Sequence, residues 1–222
     1  MKKPLLLIFA VLVIDQIIKI YVKTHFFLSE EIEFLGLSWF RIHFIENKGM
    51  AFGMSFGDNI GKFILTFVRI IASVLIFIYL TRLVKKNEKP LIIYSFALIF
   101  AGAAGNIIDS LFYGVLFSKS TFFQVATFLP EGGGYAPMLF GKVVDMFYFP
   151  LIDTDLPAWI PLFGGKHISF FDAIFNFSDA AITIGVVLLI IGIYIKDKTD
   201  KKDRNDKVIC AEDLQSGENT EL

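Results

Sequence analysis

Three aspartates of this chain are flanked by apolar sequence, where carboxyl groups can do acid and base chemistry. Asp109 and Asp179 each lie at the end of a long apolar run, and Asp145 lies between Val144 and Met146. An isolated carboxylate in such surroundings is neutralised by a raised pKa, whereas two neighbouring carboxylates favour a state in which they share one proton. Such a pair can act as general acid and general base together.

Four long apolar runs must position these acids. Each approaches the roughly 20 residues that a helix needs to cross about 30 Å of hydrocarbon, so they predict an all-α membrane protein with four transmembrane helices. The runs cover residues 5–14 (resuming through Val22), 63–81, 91–108 and 180–195, the last extendable back to Phe177. At about 1.5 Å per residue, Asp109 and Asp179 reach a similar level near the outer boundary of the hydrocarbon.

The composition agrees with a membrane protein. Hydrophobic residues make up 55% of the 222 residues, with 26 Phe, and the mean hydropathy is +0.63. The formal net charge of −1 gives no basic surface for nucleic acid. A single cysteine, Cys210, excludes intramolecular disulfides and Cys-based metal clusters, and His25, His43 and His167 form no metal-binding pair, so zinc is not expected.

Lysine and arginine are concentrated at one side of the predicted spans. That side receives the N-terminus, the loop between the second and third spans, and the start of the C-terminal tail. By the positive-inside rule, both termini are therefore expected in the cytoplasm, and segments 23–62 and 109–176 are expected outside. Any chemistry in water is then on the outer side.

The chain divides into a membrane domain, residues 1–195, and a polar tail, residues 196–222, which is expected to be disordered and cytoplasmic. The first run also fits a cleavable signal peptide, because Lys2 and Lys3 precede it. No small-residue cleavage site follows, however, and the apolar pattern resumes, which favours an uncleaved anchor.

The two outer segments have different patterns. Residues 31–45 mix β-branched and aromatic residues with partial alternation, which predicts a small sheet lying on the membrane. Residues 112–175 are rich in Phe, Gly and Pro, which predicts irregular structure at the headgroup level.

Several other charges have simpler explanations. Asp15 and Lys19 are four residues apart on one helical face and are expected to pair, a structural role first. Arg69 is expected to snorkel or to pair with an acid. Asp179 alone also fits a helix N-terminal residue, so this alternative stays open. The remaining aspartates of segment 109–176, Asp153, Asp155 and Asp172, are expected in solvated turns.

Four motifs occur in a fixed order along the chain. They are D-x-x-x-K at 15–19, N-x-G-x-A-F at 47–52, G-N-x-x-D at 105–109, and V-V-D at 143–145 followed by F-N-x-x-D at 175–179. With four spans, this order closely resembles the bacterial lipoprotein signal peptidases, also called signal peptidase II. The resemblance covers roughly residues 5–195.

The resemblance implies an aspartyl endopeptidase of the inner membrane, with its active site facing the periplasm. Its substrate would be a prolipoprotein carrying a diacylglyceryl group on the lipobox cysteine, cut just before that cysteine in contact with membrane lipid. The catalytic pair would be Asp145 and Asp179. Five further motif residues would bind substrate or support the pair: Asn47, Gly49, Asn106, Asp109 and Asn176. No metal or cofactor is implied.

Two departures from the family pattern stand out. The family usually has Arg after G-N-x-x-D, where this chain has Ser110, so we expect Arg69 or Lys142 to substitute. Asp145 follows Asp109 by 36 positions, many more than the family commonly has. Most of residues 112–142 is therefore interpreted as an insertion, which could form a lid or a docking surface.

The expected mechanism uses one proton shared by Asp145 and Asp179. The ionised member activates a water, and the protonated member donates to the developing oxyanion. A rival class is a small ion or solute transporter, but such proteins show repeats and charges near the midplane, where only Asp15 would lie. A third alternative, a membrane scaffold, predicts that Asn replacements of both acids are silent.

Overall fold

The computed structural model describes residues 1–47, 58–150, 152–155, 157, 159, 165, 167–170 and 172–218. The helices are α1 (Lys2–His25), α2 (Asp58–Lys85), α3 (Pro90–Ile108), α4 (Gly114–Leu116) and α5 (Phe177–Glu218), and a π-helical turn (Asp109–Tyr113) joins α3 to α4. The strands are β1 (Glu31–Phe34), β2 (Leu37–Asn47), β3 (Val143–Tyr148), β4 (Ile152–Asp155), β5 (His167–Phe170) and β6 (Ile174–Phe175). Gly49, expected near substrate, lies outside the described residues.

Among the described residues, four helices are long and apolar enough to cross a membrane, which confirms the predicted spans. They are Lys2–His25, Ile60–Lys85, Pro90–Leu116 and Phe177–Thr199. Large apolar side chains such as Phe9 and Ile190 are exposed along them, as lipid-facing surfaces require. Helix α3 is central and packs against α1, α2 and α5.

Glycines on α3 allow it to lie very close to α5. A Cβ atom built on Gly105 would lie 2.0 Å from Oγ of Ser178, and one on Gly102 would lie 2.2 Å from the carbonyl oxygen of Ser178. Any larger residue would push the helices apart, so these positions need glycine. The close approach brings the C-terminal end of α3 against the first turn of α5.

The N-terminus, the loop between α2 and α3, and the C-terminal end of the last span lie at the same end of the bundle. Lys196 pairs with Glu88 of that loop at 2.7 Å, and a cavity there is lined by Met1, Lys2, Asn87 and other residues of the N-terminus and loop. The small sheet caps the opposite end, where α1 gives way to β1 and β3 leads through β6 into α5.

The four-stranded antiparallel sheet has the order β1-β2-β3-β6. Leu35 and Gly36 connect β1 to β2 with φ angles of 55° and 74°, the left-handed pair that a tight hairpin turn requires. This confirms the sheet predicted for residues 31–45. The register pairs Asn47 with Val143 and Ile45 with Asp145, so the end of β2 lies beside the acid of β3.

The irregular structure expected for residues 112–175 is wrong in part. Strand β3 pairs with β2 and β6, and β4 pairs with β5 in a separate two-stranded sheet. The first four residues of β3 are all buried, since apolar and β-branched side chains face both the bundle and the sheet core. Asp145 is therefore a strand residue rather than a loop residue.

The insertion 112–142 contributes to the core. Tyr113, Phe117 and Ala126 pack with Val22 and Phe26 of α1 and with buried residues of β2 and β3. Its backbone is also bonded to α1, since the amides of Leu28 and Ala126 donate to the carbonyls of Thr121 and Lys23. The insertion therefore packs against both α1 and the sheet.

The tail differs from the expectation of disorder. The backbone of α5 continues as a helix through Glu218, well past the end of the last span. Residues 196–216 contain neither Gly nor Pro, and Lys201 pairs with Asp197 four residues earlier at 2.8 Å. Such spacing stabilises an exposed polar helix.

Candidate active site

Asp145 and Asp179 come from two different elements that meet at the end of the bundle capped by the small sheet. Asp145 lies on β3 and is 2% exposed, and Asp179 lies in the first turn of α5. Asn176 connects them: its side-chain Nδ2 donates to Oδ1 of Asp145 at 2.6 Å, and its backbone N–H donates to Oδ2 of Asp179 at 3.4 Å. The two acids predicted to form a pair therefore share a neighbour.

Asn176 also caps α5. Its Oδ1 accepts a hydrogen bond of 2.9 Å from the backbone N–H of Asp179, so the two residues make the reciprocal bonds of a capping box. The alternative interpretation of Asp179 as a helix N-terminal residue is thus correct about its local role. The same cap fixes the carboxylate of Asp179 beside Asn176, where it also takes part in the site.

A second amide, Asn106 on α3, links Asp179 to a buried lysine. Nδ2 of Asn106 donates to Oδ1 of Asp179 at 2.8 Å, and its Oδ1 accepts from Nζ of Lys19 at 2.9 Å. Nδ2 of Asn176 donates to that same oxygen at 3.1 Å. Since an ammonium group only donates, Lys19 determines that the oxygen of Asn106 faces α1 and its NH₂ group faces Asp179.

Lys19 is fully buried and uses all three of its N–H bonds. Besides Asn106 it binds Oδ2 of Asp15 at 3.0 Å and Oδ2 of Asp109 at 2.9 Å, which confirms the predicted pair on one face of α1. Asp15 in turn accepts from the backbone N–H of Ser178 on α5 at 2.9 Å. This cluster therefore joins α1, α3 and α5 beneath the two candidate acids.

Asp109 supports the strand that carries Asp145. Its Oδ2 accepts from the backbone N–H of Val144 at 3.3 Å, and its Oδ1 accepts from Nε2 of Gln16 at 3.0 Å. The residue is fully buried and bonded on both oxygens. Its carboxylate positions β3, and Asp145 is the next residue of that strand.

The electrostatics of the site favour a proton on Asp145. Burial and the negative charge of Asp179 together raise the pKa of Asp145 to about 7, although hydrogen bonds from Asn176 and Asn47 act in the opposite direction. Arg69 on α2 is half-buried, and its positive charge interacts with Asp179 and Asp145. The site thus holds two coupled carboxyls, neutral amide donors and a nearby cation.

Comparison with known proteins identifies the family. The model of the family described as "Signal peptidase (SPase) II" matches residues 7–195, which is most of the chain. The chain belongs to the signal peptidase II family. It is therefore an enzyme of an aspartic peptidase family, which rules out the transporter and scaffold alternatives.

Curated relatives agree with this assignment. A lipoprotein signal peptidase of Porphyromonas gingivalis is 48% identical over 186 residues, which cover 83% of this chain and 80% of the relative. A lipoprotein signal peptidase of Amoebophilus asiaticus is 37% identical over 184 residues, covering 81% and 72%. A solved structure titled as a bacterial membrane enzyme is 25% identical, with a TM-score of 0.55 and coverage of 90% and 92%.

The structure brings most of the predicted site residues together. Hydrogen bonds link Asp145 and Asp179 through the amides of Asn176 and Asn106. Lys19 links Asn106 to Asp15 and Asp109. The side chain of Asn47 bonds to Asp145. Of the two cations proposed to replace the family arginine, Lys142 instead binds Glu46 at 2.7 Å. Ser110 is buried and donates to the carbonyl of Asn106 at 3.0 Å.

Sequence reasoning missed four residues that contribute polar contacts around the site: Gln16, Lys23, Glu46 and Tyr113. Lys23 was counted as a cation of the outer segment, but it lies within α1 and is fully buried. A signal was present, because Lys23 follows Lys19 by four residues and so continues the polar face of α1. Glu46 directly precedes the N-x-G-x-A-F motif.

Proposed function

We propose that this chain cleaves the signal peptide from diacylglyceryl-modified prolipoproteins, just before the lipidated cysteine, with Asp145 and Asp179 as the catalytic residues. The observation that carries the proposal is that Asn176 bonds to both carboxyls, at the end of the bundle capped by the small sheet. The relatives that carry the name lipoprotein signal peptidase support the substrate class.

In the proposed reaction Asp145 carries the shared proton and Asp179 is ionised. Asp179 takes a proton from a water, whose oxygen attacks the scissile carbonyl, while Asp145 donates its proton to the oxygen of that carbonyl. Asp179 then passes the proton it received to the leaving amine, and the carbonyl re-forms as Asp145 takes its proton back. The raised pKa of Asp145 supports this division of roles. The proposed steps use two carboxyl groups and a water, and no metal ion.

Arg69 supplies the positive charge that the family usually takes from the position of Ser110. Its charge interacts with both carboxyls, and it lies on the face of α2 that also carries Lys62, whose Nζ donates to the carbonyl of Phe140 at 2.6 Å. Asn47, Asn106 and Asn176 would bind the extended substrate backbone or hold the two acids, because amides donate and accept without adding charge.

The site is proposed to face the periplasm from the inner membrane, with both termini in the cytoplasm. The distribution of lysine and arginine supports this orientation, since the end of the bundle that holds the N-terminus is rich in both. The cleavage site of a signal peptide lies where its apolar helix ends. Entry from the bilayer would bring it to the level of Asp179, at the first turn of α5.

The test is cleavage of a diacylglyceryl-modified prolipoprotein by the purified protein in detergent, followed as release of the shortened product. We expect the wild-type chain to cut the modified precursor and not the precursor without its diacylglyceryl group. Asp145→Asn and Asp179→Asn should abolish cleavage while the protein stays folded, because each loses a group that must exchange a proton.

Asp172→Asn is the matched control, since Asp172 is exposed, lies on the same side of the molecule and bonds to the hydroxyl of Tyr148 at 2.8 Å. This variant should keep wild-type activity. Full activity in either Asp145→Asn or Asp179→Asn would remove these residues from the chemistry, and equal cleavage of the unmodified precursor would refute the proposed substrate.

A further inference from the structure

A second buried ion network lies one turn of α1 above Lys19, and the mechanism does not use it. Nζ of Lys23 and Nζ of Lys142 bind opposite oxygens of Glu46, the latter at 2.7 Å. Oγ of Ser120 donates to Glu46 at 3.0 Å and accepts from Lys23 at 3.1 Å. Lys23 and Ser120 are buried, and the side chain of Glu46 is 2% exposed.

This network connects the insertion to the rest of the molecule. Ser120 and Tyr135 belong to residues 112–142, and Lys142 ends that segment. The centroid of the Tyr135 ring lies 5.0 Å from Nζ of Lys23 and 5.7 Å from Nζ of Lys142. The hydroxyl of Tyr135 accepts from the backbone N–H of Lys142 at 2.7 Å. The carboxylate of Glu46 thus bonds the insertion to both α1 and β2, in addition to the core packing described above.

The backbone connects Glu46 to the candidate active site. Glu46 pairs with Val144 and directly precedes Asn47, whose side chain bonds to Asp145. Lys142 directly precedes Val143, the partner of Asn47 in the sheet. Pinning Glu46 to Lys142 therefore fixes the paired ends of β2 and β3 on either side of the bond between Asn47 and Asp145.

We propose that Glu46 is a positioning residue through which the insertion 112–142 holds Asn47 against Asp145. This inference rests on the proposed function, because its readout is the cleavage reaction. The network has two positive groups and one negative, so Glu46 is the member that both lysines require. The positive charge of Lys23 and the bonds from both lysines hold the pKa of Glu46 below its usual value, although burial opposes ionisation. Glu46 is thus charged under working conditions.

Glu46→Gln tests the proposal, because it keeps the shape of the side chain and removes its charge. We expect kcat to fall about tenfold with KM changed by less than about twofold, since the reacting groups and not the substrate contacts are displaced. Asn47 lowers the pKa of Asp145. Displacing it should therefore move the alkaline limb of the pH–kcat profile to higher pH, in the same direction as Asn47→Ala.

The double variant Glu46→Gln/Asn47→Ala separates positioning from general destabilisation. If Glu46 acts through Asn47, the double variant is no slower than Asn47→Ala alone, whereas a merely structural role gives multiplied effects. Glu31→Gln is the matched control, because Glu31 pairs with Arg41 at 2.7 Å in the same sheet but is partly exposed. It should leave kcat and the pH profile unchanged.

If Glu46→Gln does not fold in detergent, Lys142→Met and Ser120→Ala give the milder form of the same test, with smaller shifts in the same direction. Wild-type kcat and pH profile in the folded variants, or multiplied effects in the double variant, would overturn the inference. An inactive wild-type chain would instead overturn the proposed function, so the two failures are distinguishable.

Discussion

Lys19 donates to the side-chain oxygen of Asn106 at 2.9 Å, and this bond sets the direction of the amide that faces Asp179. The consequence passes along the network, because Asn176 donates to the same oxygen and so turns its own oxygen toward the backbone of Asp179. One ammonium group thereby orders both amides around the two candidate acids. It also separates the buried charges of Asp15 and Asp109.

Lys19→Met should therefore be strongly destabilising. It leaves two buried carboxylates without their cation, and breaking a buried ion pair by removing one partner costs about 3–5 kcal/mol. The measurement is thermal unfolding in detergent, with Lys198→Met as the control, because Lys198 is exposed on the same chain. Equal melting temperatures for the two variants would mean that Lys19 does not hold the site together.

Arg69→Gln should lower kcat by about 10²–10³-fold, the range seen when a group that stabilises developing charge is removed. Arg69→Lys should recover part of this loss, because it restores the charge without the planar fork. Cleavage kinetics measure both. Arg82→Gln, in the last turn of the same helix, is the control and should keep wild-type kcat. Normal kcat in Arg69→Gln would show that Arg69 does not stabilise the charge that develops in the reaction.

The raised pKa of Asp145 predicts how stability depends on pH. The folded protein holds this proton up to about pH 7, whereas the unfolded chain releases it near 3.8. The folded state thus binds more protons at this residue between these values, so the contribution of Asp145 to stability is greatest at low pH. It is lost at about 1.4 kcal/mol per pH unit as the pH rises through this window, about 4 kcal/mol in total.

Chemical unfolding of the wild type and of Asp145→Asn, measured from pH 4 to pH 8, checks this expectation. The variant cannot titrate at this position, so its stability should fall less steeply as the pH rises. Activity should decline above about pH 7 in the wild type, when the proposed acid loses its proton. Parallel stability curves for the two proteins would contradict the assignment of this pKa to Asp145.

The sequence alone predicted the parts of the site that depend on local patterns. Apolar run length gave the spans, and helical spacing gave the pair of Asp15 and Lys19. Rise per residue predicts that Asp109 and Asp179 lie at one level, and both lie at the end of the bundle capped by the small sheet. These features were accessible because each follows from the geometry of a single helix.

The remaining features depend on contacts between distant segments. The bond between Lys19 and Asn106 joins residues 87 positions apart, and the bond between Glu46 and Lys142 joins residues 96 apart. No periodicity connects such positions. Lys23 and Lys62 fall at the two ends of the predicted outer segment 23–62. Their helices extend past the apolar runs, however, and both side chains are buried.

Gly105→Ala should destabilise the bundle by separating α3 from α5. A Cβ atom there would lie 2.0 Å from Oγ of Ser178 and 2.8 Å from Oδ2 of Asp15, and overpacking of this kind costs about 1–3 kcal/mol. Thermal unfolding measures the loss. Gly132→Ala is the control, since nothing lies within 4 Å of a Cβ atom at that position. A stability of Gly105→Ala equal to that of the control would show that the helices can separate freely.

Ser178→Ala should stabilise the protein. The hydroxyl of Ser178 is buried and has no hydrogen-bond partner among the described residues. Removing an unsatisfied buried hydroxyl should gain about 1 kcal/mol, while the backbone N–H of residue 178 keeps its bond to Asp15.

Ser95→Ala is the matched control, because the hydroxyl of Ser95 is equally buried but donates to the carbonyl of Leu91 at 2.7 Å. We expect a higher melting temperature for Ser178→Ala, no gain for Ser95→Ala, and unchanged cleavage by both. A lower melting temperature for Ser178→Ala would mean that this hydroxyl is satisfied in the membrane-embedded protein, for instance by a buried water.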